Sequence, residues 1–461
     1  MAGPKNSHRR ERSLADAGNL IESVLSAFLE TRVKPGDRLC VGFSGGMDSV
    51  VLLDALRRVM EKPDGPISLS AVHVHHGLSV RADEWAGFCI DFCGRCGVPL
   101  EVVRVVVPRD SGEGLEGAAR RLRHGVFAEC RADWLALAHH RDDQAETVLL
   151  NLLRGAGVAG AAGMLAERPQ TRGPTLVRPL LDIPRSAIEA YAAEYGLRWI
   201  DDESNVDRRF RRNFLRHEIL PRLEETFAGA GKSLARAAGH FAEAASLLDD
   251  LAAIDRGAAS AASGRIALAA LNALPQSRAR NLLRHVWTAA GFQAPDTRWV
   301  DEALKQLATA DTLSEIRVAT AEGELHAYRG ELYLVRLHAD PPAVPVPWSG
   351  QDAIPWAGGR VRFFPVIGRG INRNMLDGSV DLRSRQGGER LQPDARRPRR
   401  SLRNLLQEAA MPPWERQRLP MLWINARLAW VGGIGCDAVF ACPPGEEGLL
   451  PLWESVIDDY G

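Results

Sequence analysis

Ser44-Gly-Gly-Met-Asp-Ser49 lies between an apolar run at 39–43 and a second at 50–53. Gly45 and Gly46 permit backbone angles and close approaches that a side chain would block, so consecutive N–H groups can turn toward one anion. A helix beginning near Asp48 adds its positive N-terminal end. Ser44 and Ser49 offer hydroxyls to phosphate oxygens, and Met47 occupies the loop between them. Asp48 is an acceptor-only carboxylate that repels a bare phosphate unless a cation lies between, and Mg²⁺ suits that position. The spacing G-x-x-x-x-G-K-[ST] and its lysine are absent. The plain alternative is a tight turn from strand to helix.

A second group is His139-His-Arg-Asp-Asp-Gln-Ala-Glu146, where a strand gives way to a helix with apolar positions Val148, Leu149, Leu152 and Leu153. Asp143 and Glu146 are three apart and so share a face of the first turn, with His139 at the strand end beside them. Such a trio can ligate a metal, orient an amine or move protons; helix N-termini also favour acids for their own sake. In Val72-His-Val-His-His-Gly77, His73 and His75 share a strand face. His75 and His76, at the strand tip, are the better placed to meet a nucleotide. Glu116 and Arg120 fall at i and i+4, the spacing of an ordinary helix ion pair. At a site holding a triphosphate, Arg120 would serve phosphate instead.

Arginines gather twice: in Asp207-Arg-Arg-Phe-Arg-Arg-Asn-Phe-Leu-Arg-His217, and again at Arg383, Arg385, Arg390, Arg396, Arg397, Arg399, Arg400 and Arg403. The guanidinium fork suits phosphate, although solvated basic faces look the same in sequence. The whole chain of 461 residues has 58 basic and 58 acidic side chains, so its net charge gives no sign of a nucleic-acid partner. Seven cysteines fit reduced cytoplasmic thiols better than a disulfide framework. Cys89, Cys93 and Cys96 fall on one helix face, the pattern of core packing. No apolar run reaches the length of a membrane span and the N-terminus has no signal-peptide core, so a cytoplasmic protein is expected.

Strand-like runs at 39–43, 69–74, 100–107 and 134–138, with 198–200 as a possible fifth, alternate with helical stretches. This predicts a Rossmann-like parallel α/β sheet, with ligands beyond the carboxyl ends of its strands. The expected domains are a disordered basic extension (1–17), a catalytic domain (18–225), a helical substrate-binding domain ending in strands (226–340), a Pro-rich linker and entry segment (341–375), and a small mixed α/β C-terminal domain (376–461).

SGGMDS resembles the PP-loop of ATP pyrophosphatases. With HVHHGL, GLEGAARRLRH, AHHRDDQAET, the segment from RPLLDIPRS to DDESN, RRNFLRHEILPRL and SLRNLLQEAAMPPWERQRLP in order, the chain resembles the tRNA(Ile)-lysidine synthetase family in its long bacterial form. The resemblance implies ATP and Mg²⁺ as cofactors, and tRNA(Ile) with a CAU anticodon and free L-lysine as partners. ATP would adenylate the 2-oxo group of the wobble cytidine, and the lysine ε-amine would displace AMP. That changes the codon and amino-acid specificity of the tRNA from methionine to isoleucine. It also implies a nucleotide site of Ser44, Gly45, Gly46, Met47, Asp48, Ser49 and His75, and metal ligands Asp48 and Asp143. Lysine recognition falls to Asp143 and Glu146 beside His139, and contacts to phosphate or the adenylate to Arg120 and Arg212. A related cytidine thiolase would instead give Cys93 and Cys96 a cluster to hold, but would lack the C-terminal motif. Monomer and homodimer both stay open.

Overall fold

The computed structural model describes residues 5–61, 67–108, 114–170, 173–203, 208–209, 211–309, 316–337 and 339–454, with side chains from residue 18 onward except Glu116. The chain divides into two compact units, residues 1–247 and 248–461.

In the first unit, α1 (Lys5–Arg32) leads into β1 (Arg38–Gly42), α2 (Met47–Met60), β2 (Ser68–His75), α3 (Ala82–Cys96), β3 (Leu100–Arg104), α4 (Gly114–Glu129), β4 (Trp134–Ala136) and α5 (Arg141–Leu153). Then come a single turn α6 (Val158–Ala161), β5 (Glu167–Arg168), β6 (Thr175–Val177), α7 (Arg185–Glu194) and α8 (Arg211–Phe214). The sheet order is β3-β2-β1-β4-β6-β5, parallel throughout except for β5 against β6. β1 therefore has β2 on one side and β4 on the other, and the crevice where the order reverses opens at the strands' carboxyl ends.

Both sheet faces are covered, as a parallel sheet requires. Leu39 and Val41 point into a core shared with α1, α2, α3 and α7, including Ile21, Leu53, Phe92 and Tyr191. Between them Cys40 points the other way, onto Phe127, Leu135 and Leu176. Cys89 and Cys93 are packed in the first core, as their spacing predicts.

Three expectations change. The fifth parallel strand is Thr175–Val177, a three-residue run too short to stand out in the sequence. Residues 198–200 form no strand, because the Ile200 N–H is given to the Gly45 carbonyl at 2.9 Å. The expected extension over 1–17 is helical from Lys5, as the first turns of α1. No Gly or Pro interrupts 5–17, and the helix continues into the packed positions Ile21, Leu25 and Leu29.

The second unit has helices Leu268–Ala273, Gln276–Ala289 and Thr297–Ala308 packed on an antiparallel sheet of Ile316–Ala319, Gly323–Tyr328 and Glu331–Arg336. After it, Ala353–Trp356, Gly359–Ile367 and Ile371–Asn372 join Glu447–Glu454 in one sheet, so most of the expected linker belongs to the C-terminal fold. Alternation of buried Val361 and Phe363 carries that strand. The two parts also meet: the Trp414 ring stacks on His326 with centroids 4.1 Å apart, and Arg416 Nη2 donates to Tyr328 Oη at 3.0 Å.

Asp54 ties α2 to α7. This buried carboxylate accepts from Arg58 Nε at 2.7 Å, Arg57 Nη2 at 3.1 Å and Tyr191 Oη at 3.0 Å. A hydrogen bond to a charged acceptor contributes about 1.5–3 kcal/mol. Tyr191→Phe should therefore lower unfolding stability by about that much in a urea titration. A loss under about 0.5 kcal/mol would show that the bond contributes little to the packing of α2 on α7.

Candidate active site at the carboxyl edge of the parallel sheet

The loop after β1 is held in shape from within. Gly45 has φ +84°, and a Cβ there would stand 2.5 Å from Ile200 Cδ1 and 3.0 Å from Cys89 Sγ, so both conformation and space demand glycine. Gly46 is the N-cap of α2 and its N–H donates to Ser44 Oγ at 3.3 Å. Ser49 Oγ donates to the Gly46 carbonyl at 2.9 Å and lies 3.2 Å from Ser44 Oγ. Met47 packs on the core. The loop thus presents its main chain and the exposed Ser44 at the end of β1.

Asp48, in the first turn of α2, differs from its neighbours. Its Oδ1 is buried without a hydrogen-bond partner among the described residues, and His140 Nε2 is 3.9 Å away. Burial raises its pKa above the usual carboxylate value; His140 opposes that shift and Asp143 adds to it. A carboxylate oxygen with no donor is a fitting ligand for a hard cation, and Mg²⁺ is commonly held by one or two carboxylates with water and phosphate oxygens. Among the described residues no three His, Cys, Asp or Glu side chains converge as a metal cage.

One strand over, α5 begins with a reciprocal cap. His140 Nδ1 accepts from the Asp143 N–H at 3.4 Å, while Asp143 Oδ2 accepts from the His140 N–H at 3.2 Å. Asp143 is 8 % exposed and Glu146 only 1 %. Both are clamped by arginines from the helical segment at 211–219. Arg212 donates from Nε to Glu146 Oε2 at 2.8 Å and from Nη2 to Asp143 Oδ1 at 3.3 Å. Arg216 donates from Nε to Glu146 Oε1 at 2.5 Å, and from Nη2 to Glu146 Oε2 at 3.0 Å and Asp143 Oδ1 at 2.8 Å. Burial alone would raise the Asp143 pKa, but His140, Arg212, His139 and Arg216 together hold it below the usual value. For Arg216, the bond and charge of Glu146 outweigh burial and raise its pKa.

Arg216 sits in a π turn, Leu215–Ile219, that follows α8. Pro221 has no N–H to give to the carbonyl four residues back, which favours the wider turn there.

The structure brings Asp48, Asp143, Glu146, Arg212 and the loop to one edge of the first unit. His139 is beside them, its Nδ1 accepting from Arg178 Nε at 3.3 Å, and burial lowers its pKa so that the imidazole is neutral. Of the two expected metal ligands, Asp143 has its oxygens engaged by guanidinium and by the cap, whereas Asp48 keeps an oxygen without a partner among the described residues. Buried His75 is engaged elsewhere, 3.2 Å from Asp83 Oδ1 and 3.4 Å from Arg104 Nη1. His73 Nδ1 donates to the Phe43 carbonyl at 2.9 Å, a structural role. Arg120 is exposed on α4, while the Glu116 side chain, Asp207 and Phe210 lie outside the described residues. Sequence reasoning missed His140, Arg178 and Arg216. The four-residue spacing of Arg212 and Arg216 was the available signal for the last.

The C-terminal arginines divide. Arg399 Nη2 donates to Asp437 Oδ1 at 2.9 Å, beneath the surface, and Arg400 pairs with Glu408. Arg397 lies 3.7 Å from Asp394. Arg399 and Arg400 hold the local fold, which leaves the exposed Arg396 and Arg403 as the freer cations of that stretch.

Removing one partner of a buried ion pair costs about 3–5 kcal/mol. Arg216→Ala and Glu146→Ala should each destabilise the protein, yet the double variant should be less damaged than their sum by about 1–3 kcal/mol in a urea-denaturation cycle. Additive losses would mean that the pair is not energetically coupled.

Comparison with known proteins identifies the family. The PP-loop domain family matches residues 19–223, the TilS substrate binding domain 266–333 and the TilS substrate C-terminal domain 380–453. The tRNA(Ile)-lysidine synthase of Aromatoleum aromaticum is 45 % identical over 92 % of this chain and 98 % of its own length. Those of Azoarcus sp. (44 %, covering 91 % of this chain and 92 % of theirs) and Nitrosomonas europaea (43 %, 92 % and 93 %) are similar throughout. With a PP-loop at the end of β1 and relatives aligned across nearly all of its length, the chain belongs to the tRNA(Ile)-lysidine synthase family.

Proposed function

We propose that this protein ligates L-lysine to the wobble cytidine of a CAU-anticodon tRNA(Ile), consuming ATP. The observation that carries the reading is the pairing, across adjacent strands, of a glycine loop with an unpartnered Asp48 oxygen and a buried pair of carboxylates on α5.

The 2-oxo group of cytidine is a poor leaving group, so it must first be activated. The loop N–H groups and the α2 N-terminus hold the triphosphate with its α-phosphorus toward the bound base. The cytidine O2 attacks that phosphorus and pyrophosphate departs. Asp48 would hold Mg²⁺, which when bound offsets negative charge on the departing phosphates. The lysine ε-nitrogen then attacks C2, and AMP leaves with the original O2.

The second step needs an ammonium that is first held and then stripped of a proton. Asp143 and Glu146 are suited to both tasks, but arginines saturate them in the structure. A lysine ammonium therefore has to take the place of at least one guanidinium, from Arg212 or Arg216. That exchange conserves the local charge balance, and it frees an arginine for an incoming phosphate. The freer C-terminal arginines and the helical part of the second unit would hold the tRNA body through phosphate contacts and shape.

Exchange of labelled pyrophosphate into ATP should require CAU-anticodon tRNA but not lysine. Asp48→Asn should reduce it by at least 100-fold while tRNA affinity stays within about twofold, a loss typical of removing a key electrostatic group. Glu146→Gln should raise the KM for lysine much more than that for ATP. Exchange without tRNA, or full exchange by Asp48→Asn, would overturn the assignment of the loop. An unchanged KM for lysine would overturn that of Glu146.

A further inference from the structure

Arg178 follows directly on β6, at the same sheet edge as the loop after β1 and His139 after β4. It is 8 % exposed. Its Nε donates to His139 Nδ1 at 3.3 Å and its Nη1 to the Leu165 carbonyl at 2.6 Å. Neither partner carries negative charge, and Nη2 makes no hydrogen bond among the described residues. A guanidinium does not shed its proton to escape burial. An ionised group removed from water without a counter-charge is expensive, and proteins keep one only where something compensates it.

The surroundings make the imbalance larger. Burial and then the like charges of Arg168 on β5 and Arg120 on α4 bring the Arg178 pKa down to about 10, and no acid among the described residues is a main contributor to that shift. His124 of α4 shares this field. Burial, followed by Arg123, Arg120, Arg168 and Arg178, lowers it to about 4, so it is neutral at neutral pH and adds no further positive charge. By contrast, Arg212 and Arg216, a short distance along the same edge, have two carboxylates between them. Among the described residues, one arginine group has carboxylate partners and the other has none.

An anion brought by a ligand would supply the counter-charge that no described residue gives. The sheet order places it. β6 is two strands from β1, roughly 10 Å across the sheet, while in the reading above the loop N–H groups would gather the ATP phosphates at β1 itself. A strand of RNA that delivers one base to the middle of the crevice carries phosphodiesters on either side of that base. We propose that Arg178, backed by Arg120 and Arg168, receives a phosphodiester group of the substrate RNA next to the reacting cytidine. This rests on the function proposed above. Through its bond to Nδ1, Arg178 also fixes the neutral His139 as the tautomer protonated at Nε2, a donor directed from the strand end. Bound phosphate and ordered imidazole are thereby linked through one side chain.

The test measures binding of full-length CAU-anticodon tRNA over a range of KCl concentrations for wild type, Arg178→Gln, Arg178→Lys and the exposed Arg168→Gln. Binding of a nonhydrolysable ATP analogue and the melting temperature without ligand are measured in parallel. Arg178→Gln should weaken tRNA binding by roughly tenfold or more and lower the log–log salt slope by about 0.7–0.9. Arg178→Lys should restore most of the slope, since it keeps the charge, and Arg168→Gln should lower the slope without disturbing the buried position. Affinity for the ATP analogue should stay within twofold, and Arg178→Gln should melt no lower than wild type. Wild-type tRNA affinity and slope in Arg178→Gln and Arg168→Gln would overturn the proposal. So would loss of ATP-analogue binding with tRNA binding intact, which would assign the anion to the nucleotide, or a lowered melting temperature with the salt slope kept, which would make Arg178 structural. Wild-type tRNA turnover in the same preparation separates these outcomes from a failure of the functional reading: no lysine-dependent product at all would reject the latter.

Discussion

Two carboxylates and two guanidiniums, Asp143 and Glu146 with Arg212 and Arg216, are the interaction on which the first unit's functional edge depends. Glu146 is almost wholly buried, and a buried carboxylate needs donors in good geometry to persist as a charge. The donors come from a segment some seventy residues away. The ion pairs therefore do more than satisfy charge: they fix the helical turn at 211–219 against the first turn of α5. The His140 cap fixes that turn in its own way, by exchanging hydrogen bonds with Asp143. Asp143 thus serves the helix end and the arginine clamp together, and a change in one is felt in the other.

The parallel sheet sets the remaining distances. β1, β4 and β6 lie side by side, and each ends in a different kind of group. After β1 comes a loop of N–H groups and an unpartnered carboxylate oxygen. After β4 come His139 and the paired acids, and after β6 an arginine with no acidic partner among the described residues. In the proposed reading, the three strand ends would serve, in order, phosphate with a cation, an amine, and a second anion. Glycine is obligatory at position 45 because Ile200 and Cys89 close in behind the loop. Ile200 also gives its N–H to the Gly45 carbonyl, so the segment after α7 is a brace for the nucleotide loop.

Much of this was legible in the residues. The glycine loop, its strand and its helix follow from the switch between apolar runs and small polar residues, and Asp143 and Glu146 follow from helical spacing. The partners of those acids were not legible as partners. Arginine-rich stretches read alike whether they face solvent, phosphate or a buried carboxylate, and only the fold shows that Arg212 and Arg216 turn inward while Arg399 and Arg400 brace the C-terminal fold. His75 and His139 illustrate the same limit. Both end strands, yet Asp83 and Arg104 engage one, while the neighbouring strand supplies Arg178 to the other. The strand at 175–177 was hidden by its brevity, and the strands at 346–372 by the prolines before them.

The chemistry requires the cytidine oxygen to become part of the leaving group. The most direct measurement starts from tRNA(Ile) carrying ¹⁸O at the 2-oxo position of the wobble cytidine, incubated with the protein, ATP and lysine, with mass spectrometry of the products. The account predicts one ¹⁸O in AMP, none in pyrophosphate, and a wobble base that has lost the label and gained lysine through its ε-nitrogen. Label left on the base, or found in pyrophosphate or water, would contradict it.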